Sequence, residues 1–170
     1  YGYLAGTYVR DKDAVVASML ICEMAAYYYS KGMNLYDALI ELYNRYGYFL
    51  EEVKSITLEG KEGLEKICAI MEYFRTNSIN YIGDKKVICI EDYESQQRIY
   101  LDGSKDVEKI KLPKARVVKF ILEDEGWVCL RPSGTEPKLK IYVGFKGSSI
   151  EESRRYITKA ISWIKQKVNI

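Results

Sequence analysis

The chain has 170 residues, of which 48% are hydrophobic and 29% charged, with a formal net charge of +2. That is enough for one ordinary domain, or for one small domain with part of another. No apolar run approaches the ~20 residues that span a bilayer, and the near balance of charge gives no strong case for nucleic acid or a membrane surface as partner.

No basic stretch followed by an apolar one marks a signal peptide at the N-terminus, and the start at Tyr1 rather than Met leads us to expect an excised piece of a longer chain. A first helix is expected from Asp13 to Lys31, capped by Asp11 or Asp13, with Val15, Leu20, Met24 and Tyr28 sharing a buried side and Gly32 ending it. A second is expected from Leu35 to Tyr46, with Asn34 as N-cap, Asp37 three residues on, and Gly47 as the stop. This helical hairpin has too little apolar surface to close a core alone, so it is expected to belong to a larger domain.

The pattern then changes. Val53 to Leu58 alternates weakly as a strand, and Glu62 to Thr76 reads as a helix with Leu64, Ile67, Cys68, Met71 and Phe74 at helical spacing. Segments rich in β-formers follow at Lys86 to Asp92, Gln97 to Leu101, Val117 to Leu122, Trp127 to Leu130 and Lys138 to Phe145. A final helix from Ile150 to Val168 opens on a capping box, Ser149 with Glu152, and buries Tyr156, Ile157, Ala160, Ile161 and Ile164. The expected fold class is therefore α+β: two helices packed on one face of a mostly antiparallel sheet, preceded by the helical hairpin. The expected division is residues 1–50 and 51–170.

Cys22, Cys68, Cys89 and Cys129 form no C-x-x-C pair, and the chain has no histidine, which argues against a zinc site or histidine chemistry. Each cysteine lies in an apolar run and is expected to be a reduced core residue of a cytosolic protein. The basic stretch Lys109, Lys111, Lys114, Arg116 and Lys119 has acidic residues before and after it, and reads as a solvated face; no nucleic-acid partner is expected.

One run carries chemistry: Arg131-Pro132-Ser133-Gly134-Thr135-Glu136-Pro137-Lys138-Leu139-Lys140. Two prolines and a glycine between strands make a rigid loop. Gly134 permits a positive φ or a close backbone approach. The amides of Gly134 and Thr135 can point at one anion as a nest, with the hydroxyls of Ser133 and Thr135 donating to the same oxygens. Arg131 offers a two-pronged guanidinium and Lys140 a second cation. The plainer reading is a hairpin loop whose polar groups serve only the backbone; Glu136 favours it unless its carboxylate points away.

The run RPSGTEPKLKIY resembles the signature of the last domain of the α-D-phosphohexomutases, the superfamily of phosphoglucomutase and phosphomannomutase. The resemblance extends along the whole chain: Tyr1-Gly2-Tyr3, the run Arg10-Asp11-Lys12-Asp13-Ala14 and the helix after it look like the end of the family's third domain. It implies that Arg131, Ser133, Gly134 and Thr135 grip the substrate phosphate that is not being transferred, with Lys140 a partial match to a further basic contact. It also implies that Lys12, otherwise a solvated charge at a helix start, is a candidate catalytic residue facing the cleft. A lysine acting as a base would need its ammonium destabilised, and the flanking Asp11 and Asp13 act the other way, so electrostatic contact is the favoured role. Arg10 is a weaker candidate of the same kind.

The resemblance implies interconversion of hexose 1-phosphate and hexose 6-phosphate through a bisphosphorylated intermediate, in the cytoplasm. Mg²⁺ would be held by an aspartate cluster in another domain and the phosphoryl group by a serine loop, neither of which occurs in these residues. The expected partners are a phosphosugar and the preceding domains of the same polypeptide, with no metal bound by this chain and no membrane. These residues alone are expected to be inactive. A stand-alone phosphate- or phosphosugar-binding module is the alternative, and the choice among hexoses is not legible.

Overall fold

The computed structural model describes residues 3–103, 107–134 and 136–169. It divides into two compact units, Tyr1–Gly47 and Tyr48–Ile170.

The first unit is a pair of packed helices, α1 (Ala14–Tyr29) and α2 (Leu35–Tyr46). Asp13 caps α1 by accepting from the amides of Val15 and Val16 at 3.0 and 3.1 Å. Asn34 and Asp37 form a reciprocal capping box on α2: the Asn34 side chain accepts from the Asp37 amide, and the Asp37 carboxylate accepts from the Asn34 amide. The buried side expected for α1 is not found. No residue of α1 is buried, and Val15 is 81% exposed. Within its unit α1 packs on α2, and one helix of that length covers too little of it.

The second unit is built on an antiparallel sheet. Its strands are β1 (Tyr48–Thr57), β2 (Tyr81–Ile82), β3 (Lys85–Asp92), β4 (Gln97–Tyr100), β5 (Glu108–Lys109), β6 (Val118–Leu122), β7 (Trp127–Pro132) and β8 (Lys138–Gly147). The order is β1-β8-β7-β6-β3-β4-β5, with β2 on β3. Helices α3 (Gly60–Thr76) and α4 (Ile150–Lys167) pack on one face. Strict alternation builds that face: Val118, Phe120 and Leu122, Val128 and Leu130, and Leu139, Ile141 and Val143 are all buried against the helices. This is the α+β class that the pattern predicts.

Several details differ. Strand β1 begins at Tyr48 rather than Val53, because an edge strand tolerates Glu51 and Glu52 that a central strand would not. The buried stripe of α3 is Gly63, Ile67, Ile70, Met71 and Phe74, while Leu64 is 51% exposed and Cys68 is also exposed. Helix α3 therefore sits rotated from the face that its leucine suggests, and Gly63 brings it close to the chain at Leu58. Of the four cysteines only Cys89 is buried; Cys129 is half-buried, and Cys22 and Cys68 are exposed, so the core role expected for all four fails for these two.

Helix α4 buries Ile157, Ala160, Ile161 and Ile164 as its spacing requires. Its start is capped by Ser149, which accepts from the Glu152 amide, but the Glu152 carboxylate reaches one residue further back than a reciprocal box. It accepts from the Ser148 amide at 2.8 Å, the Ser148 hydroxyl at 2.6 Å and the Tyr156 hydroxyl at 2.9 Å. The Ser148 contacts, then Tyr156, hold its pKa at about 2, against the usual 4.5. A carboxylate depressed in the folded state stabilises the fold above the ordinary value, and that contribution is lost as pH falls through about 2. A carboxyl titration followed by NMR is expected to place Glu152 near 2, and Ser148→Ala is expected to move it up. An unshifted Glu152 in the parent chain would contradict the contacts.

Candidate functional site

The predicted loop joins β7 to β8, and the register of that pair decides what it presents. Arg131 lies directly opposite Lys140, and Pro132 opposite Leu139. Leu130, Leu139 and Ile141 point to the helices, so Arg131 and Lys140 share the helix-free face. Residues opposed in this way have Cα atoms about 5 Å apart. Two cations so placed repel, a destabilising arrangement unless something negative lies between them.

The rest of the same face shows how this fold treats its charges elsewhere. Glu91, 6% exposed, accepts from Arg98 at 2.7 Å and from the Tyr93 hydroxyl at 3.0 Å. Arg98 also reaches Glu108 at 3.4 Å. Burial, then Glu91, pushes the Tyr93 hydroxyl up to about 12. The side chains of Arg131 and Lys140, by contrast, have no ion-pair or hydrogen-bond partner among the described residues. Of the two, Arg131 acts on Cys129: burial raises that thiol above its ordinary value, with Lys119 and Arg131 partly opposing the rise.

The loop itself is pinned at both ends. The Ser133 amide donates to the Lys138 carbonyl at 2.8 Å, and the Leu58 amide donates to the Pro137 carbonyl at 2.9 Å. The Ser133 amide is thus committed to the backbone, leaving its hydroxyl available. Gly134, which permits either a positive φ or a close backbone approach, shows no positive φ, and a Cβ there would meet nothing within 4 Å. The space beside Gly134 is open, and no contact among the described residues requires a glycine there. Thr135 lies outside the described residues.

Glu136, which weighed against anion binding, is held by Lys138: its two carboxylate oxygens lie 3.0 and 3.1 Å from Nζ. This pair was not read from the sequence, although the alternation of Lys138, Leu139 and Lys140 already puts both lysines on one face.

Lys12 belongs to the other unit. It is exposed, with Nζ 3.0 Å from Asp11 Oδ1, and its amide donates to the same oxygen at 2.7 Å. Asp11 is lowered in turn, chiefly by the Lys12 side chain and then by its amide. Arg10 is exposed beside it. Among the described residues no group of three or more Cys, Asp or Glu is placed to hold a metal ion. No helix among them is long and apolar enough to cross a membrane.

Residues 90–155 match the profile described as phosphoglucomutase/phosphomannomutase, C-terminal domain. The chain is also 43% identical over 161 residues to a phosphoglucomutase of Staphylococcus aureus, an alignment covering 95% of this chain and 29% of that protein. The chain is similar to the C-terminal part of the phosphoglucomutase/phosphomannomutase family. A phosphoglucomutase of Staphylococcus haemolyticus is 41% identical over 152 residues, 89% of this chain and 27% of that one. The chain thus spans under a third of the length of these relatives. Among solved structures, the open form of the exocytosis-sensitive phosphoprotein pp63/parafusin from Paramecium shares the fold, with a TM-score of 0.52 at 16% identity, over 94% of this chain and 28% of the other. The matched segment spans β6, β7 and β8 and so includes Arg131 and Lys140.

Proposed function

We propose that the chain is the phosphate-anchoring C-terminal part of a mutase that interconverts hexose 1-phosphate and hexose 6-phosphate through a bisphosphorylated sugar. Arg131, Ser133, Gly134, Thr135 and Lys140 hold the phosphate that is not being transferred. The observation that carries this reading is the opposed pair Arg131 and Lys140, without a counter-ion among the described residues, at the base of a loop with open space beside Gly134. A phosphate monoester dianion relieves their repulsion and accepts from the guanidinium, the ammonium, the hydroxyls and the tip amides, each charge-assisted bond contributing about 1.5–3 kcal/mol. Fixing one end of the sugar in this way positions the other end for transfer, which can lower a barrier by several kcal/mol.

In the same reading residues 1–50 belong to the family's third domain and 51–170 to its phosphate-binding domain. Lys12, with Asp11 as counter-ion, acts as a fixed charge toward the substrate rather than as a proton carrier. Phosphoryl transfer and its Mg²⁺ are supplied by parts of the enzyme represented in the longer relatives, which act with this chain in the cytoplasm.

The reading is tested by titrating inorganic phosphate into the 170-residue chain and following the amides of Gly134, Thr135 and Lys140. Saturable shifts confined to the loop are expected, with no turnover of glucose 1-phosphate by the chain alone. Unmoved loop amides would remove the anchor from the proposal, and turnover would overturn the assignment of transfer to other domains.

A further inference from the structure

The base of the loop carries three cations on one face, not two. Lys138 and Lys140 alternate along β8, and Arg131 opposes Lys140 across the ladder. One of the three is already matched: Glu136 holds Lys138 through both carboxylate oxygens. The Lys138 amide also donates to the Glu136 carbonyl at 2.7 Å, a tight turn that keeps the two residues together. The Lys138 side chain is 32% exposed and that of Glu136 54%, so the pair lies at the rim, where exchange with solvent ions is open. Three positive charges and one negative leave a net +2, the complement of a phosphate monoester dianion.

We propose that Glu136 is a counter-ion built into the anion site, which neutralises Lys138 while the loop is empty and yields that lysine to the bound phosphate. This rests on the phosphate reading above and adds to it an internal competitor. Binding then exchanges one ion pair for another. The affinity is lower than three free cations would give, and release of the phosphate group is correspondingly faster.

The test is phosphate titration of the 170-residue chain with three variants. Glu136→Gln is expected to tighten phosphate binding by roughly two- to five-fold, the range that loss of one competing exposed ion pair gives. Lys138→Gln alone is expected to weaken binding roughly two- to five-fold, because it removes a cation that the phosphate gains and leaves Glu136 unmatched beside the anion. The double variant, Glu136→Gln with Lys138→Gln, is expected to lose the gain. A gain that persists in the double variant would show mere removal of repulsion and overturn the exchange. So would Glu136→Gln binding as the parent or more weakly, or Lys138→Gln losing as much as removal of Arg131. Absence of saturable binding in the parent chain is a separate outcome that defeats the phosphate reading and this inference with it. Unchanged unfolding midpoints in all three variants exclude a change of fold as the cause.

Discussion

Arg131→Ala is expected to weaken phosphate binding about 10- to 150-fold, the equivalent of about 1.5–3 kcal/mol for a charge-assisted contact. The same change is expected to leave the fold as stable as before, or more stable by a few tenths of a kcal/mol, because it removes one of two like charges opposed across β7 and β8. Loss of affinity without loss of stability is the diagnostic combination. A residue that only supports the hairpin would lose both together. Arg131→Lys separates charge from shape: it keeps the cation and the repulsion but not the planar fork, and is expected to fall between the parent and Arg131→Ala. Calorimetric phosphate titration beside thermal unfolding checks both quantities. Arg131→Ala binding phosphate as the parent does would remove Arg131 from the site.

Gly63→Ala is expected to destabilise the second unit by about 3 kcal/mol. Gly63 sits in the first turn of α3, and a Cβ there would lie 1.9 Å from the Leu58 carbonyl oxygen and 2.3 Å from its carbonyl carbon. Both are backbone atoms, so no side-chain rotation relieves the clash; helix or strand end must move. The displaced residue matters for the site, because the Leu58 amide holds the Pro137 carbonyl. The variant is therefore expected to shift the amides of Pro137's neighbours and to weaken phosphate binding, although Gly63 touches no part of the loop. Denaturant unfolding with an unchanged slope would report the stability term. A loss below about 1 kcal/mol would mean that α3 can slide, and that the close approach at Leu58 is not fixed by the core.

The two predictions draw on features that were unequally legible. The starts of α1, α2 and α4 were readable because caps are local: Asp13, Asn34 with Asp37, and Ser149 each act within one turn, whereas α3, without a side-chain cap, starts at Gly60 rather than Glu62. The central strands β6 and β7 were readable because their alternation is uninterrupted, whereas β3 carries a register shift between Val87 and Cys89. The edge strand β1 was only half legible, since its charged middle obscures the period and its pairing with β8 compensates from a distance. The face of α3 was misread for a related reason. Leu64 and Cys68 are as apolar as their neighbours, and the choice of stripe is made by Gly63 against Leu58.

At the site, residue types were legible but geometry was not. The motif names Arg131 and Lys140; only the hairpin register makes them direct opposites. The Glu136–Lys138 pair was hidden because a two-residue separation across a proline has no fixed direction until the turn is known. The non-positive φ of Gly134 is likewise a property of the closed loop rather than of glycine.

The opposed cations also provide a rule for reading other chains. Folding stability alone gives no reason to keep Arg131 facing Lys140, since replacing either would relieve the hairpin. A sequence that places basic residues on both flanks of a short, proline-bounded loop, nine positions apart as here, carries an electrostatic debt within its own fold. Such a debt is a legible trace of a missing guest, and it can be sought in sequences where no longer motif survives.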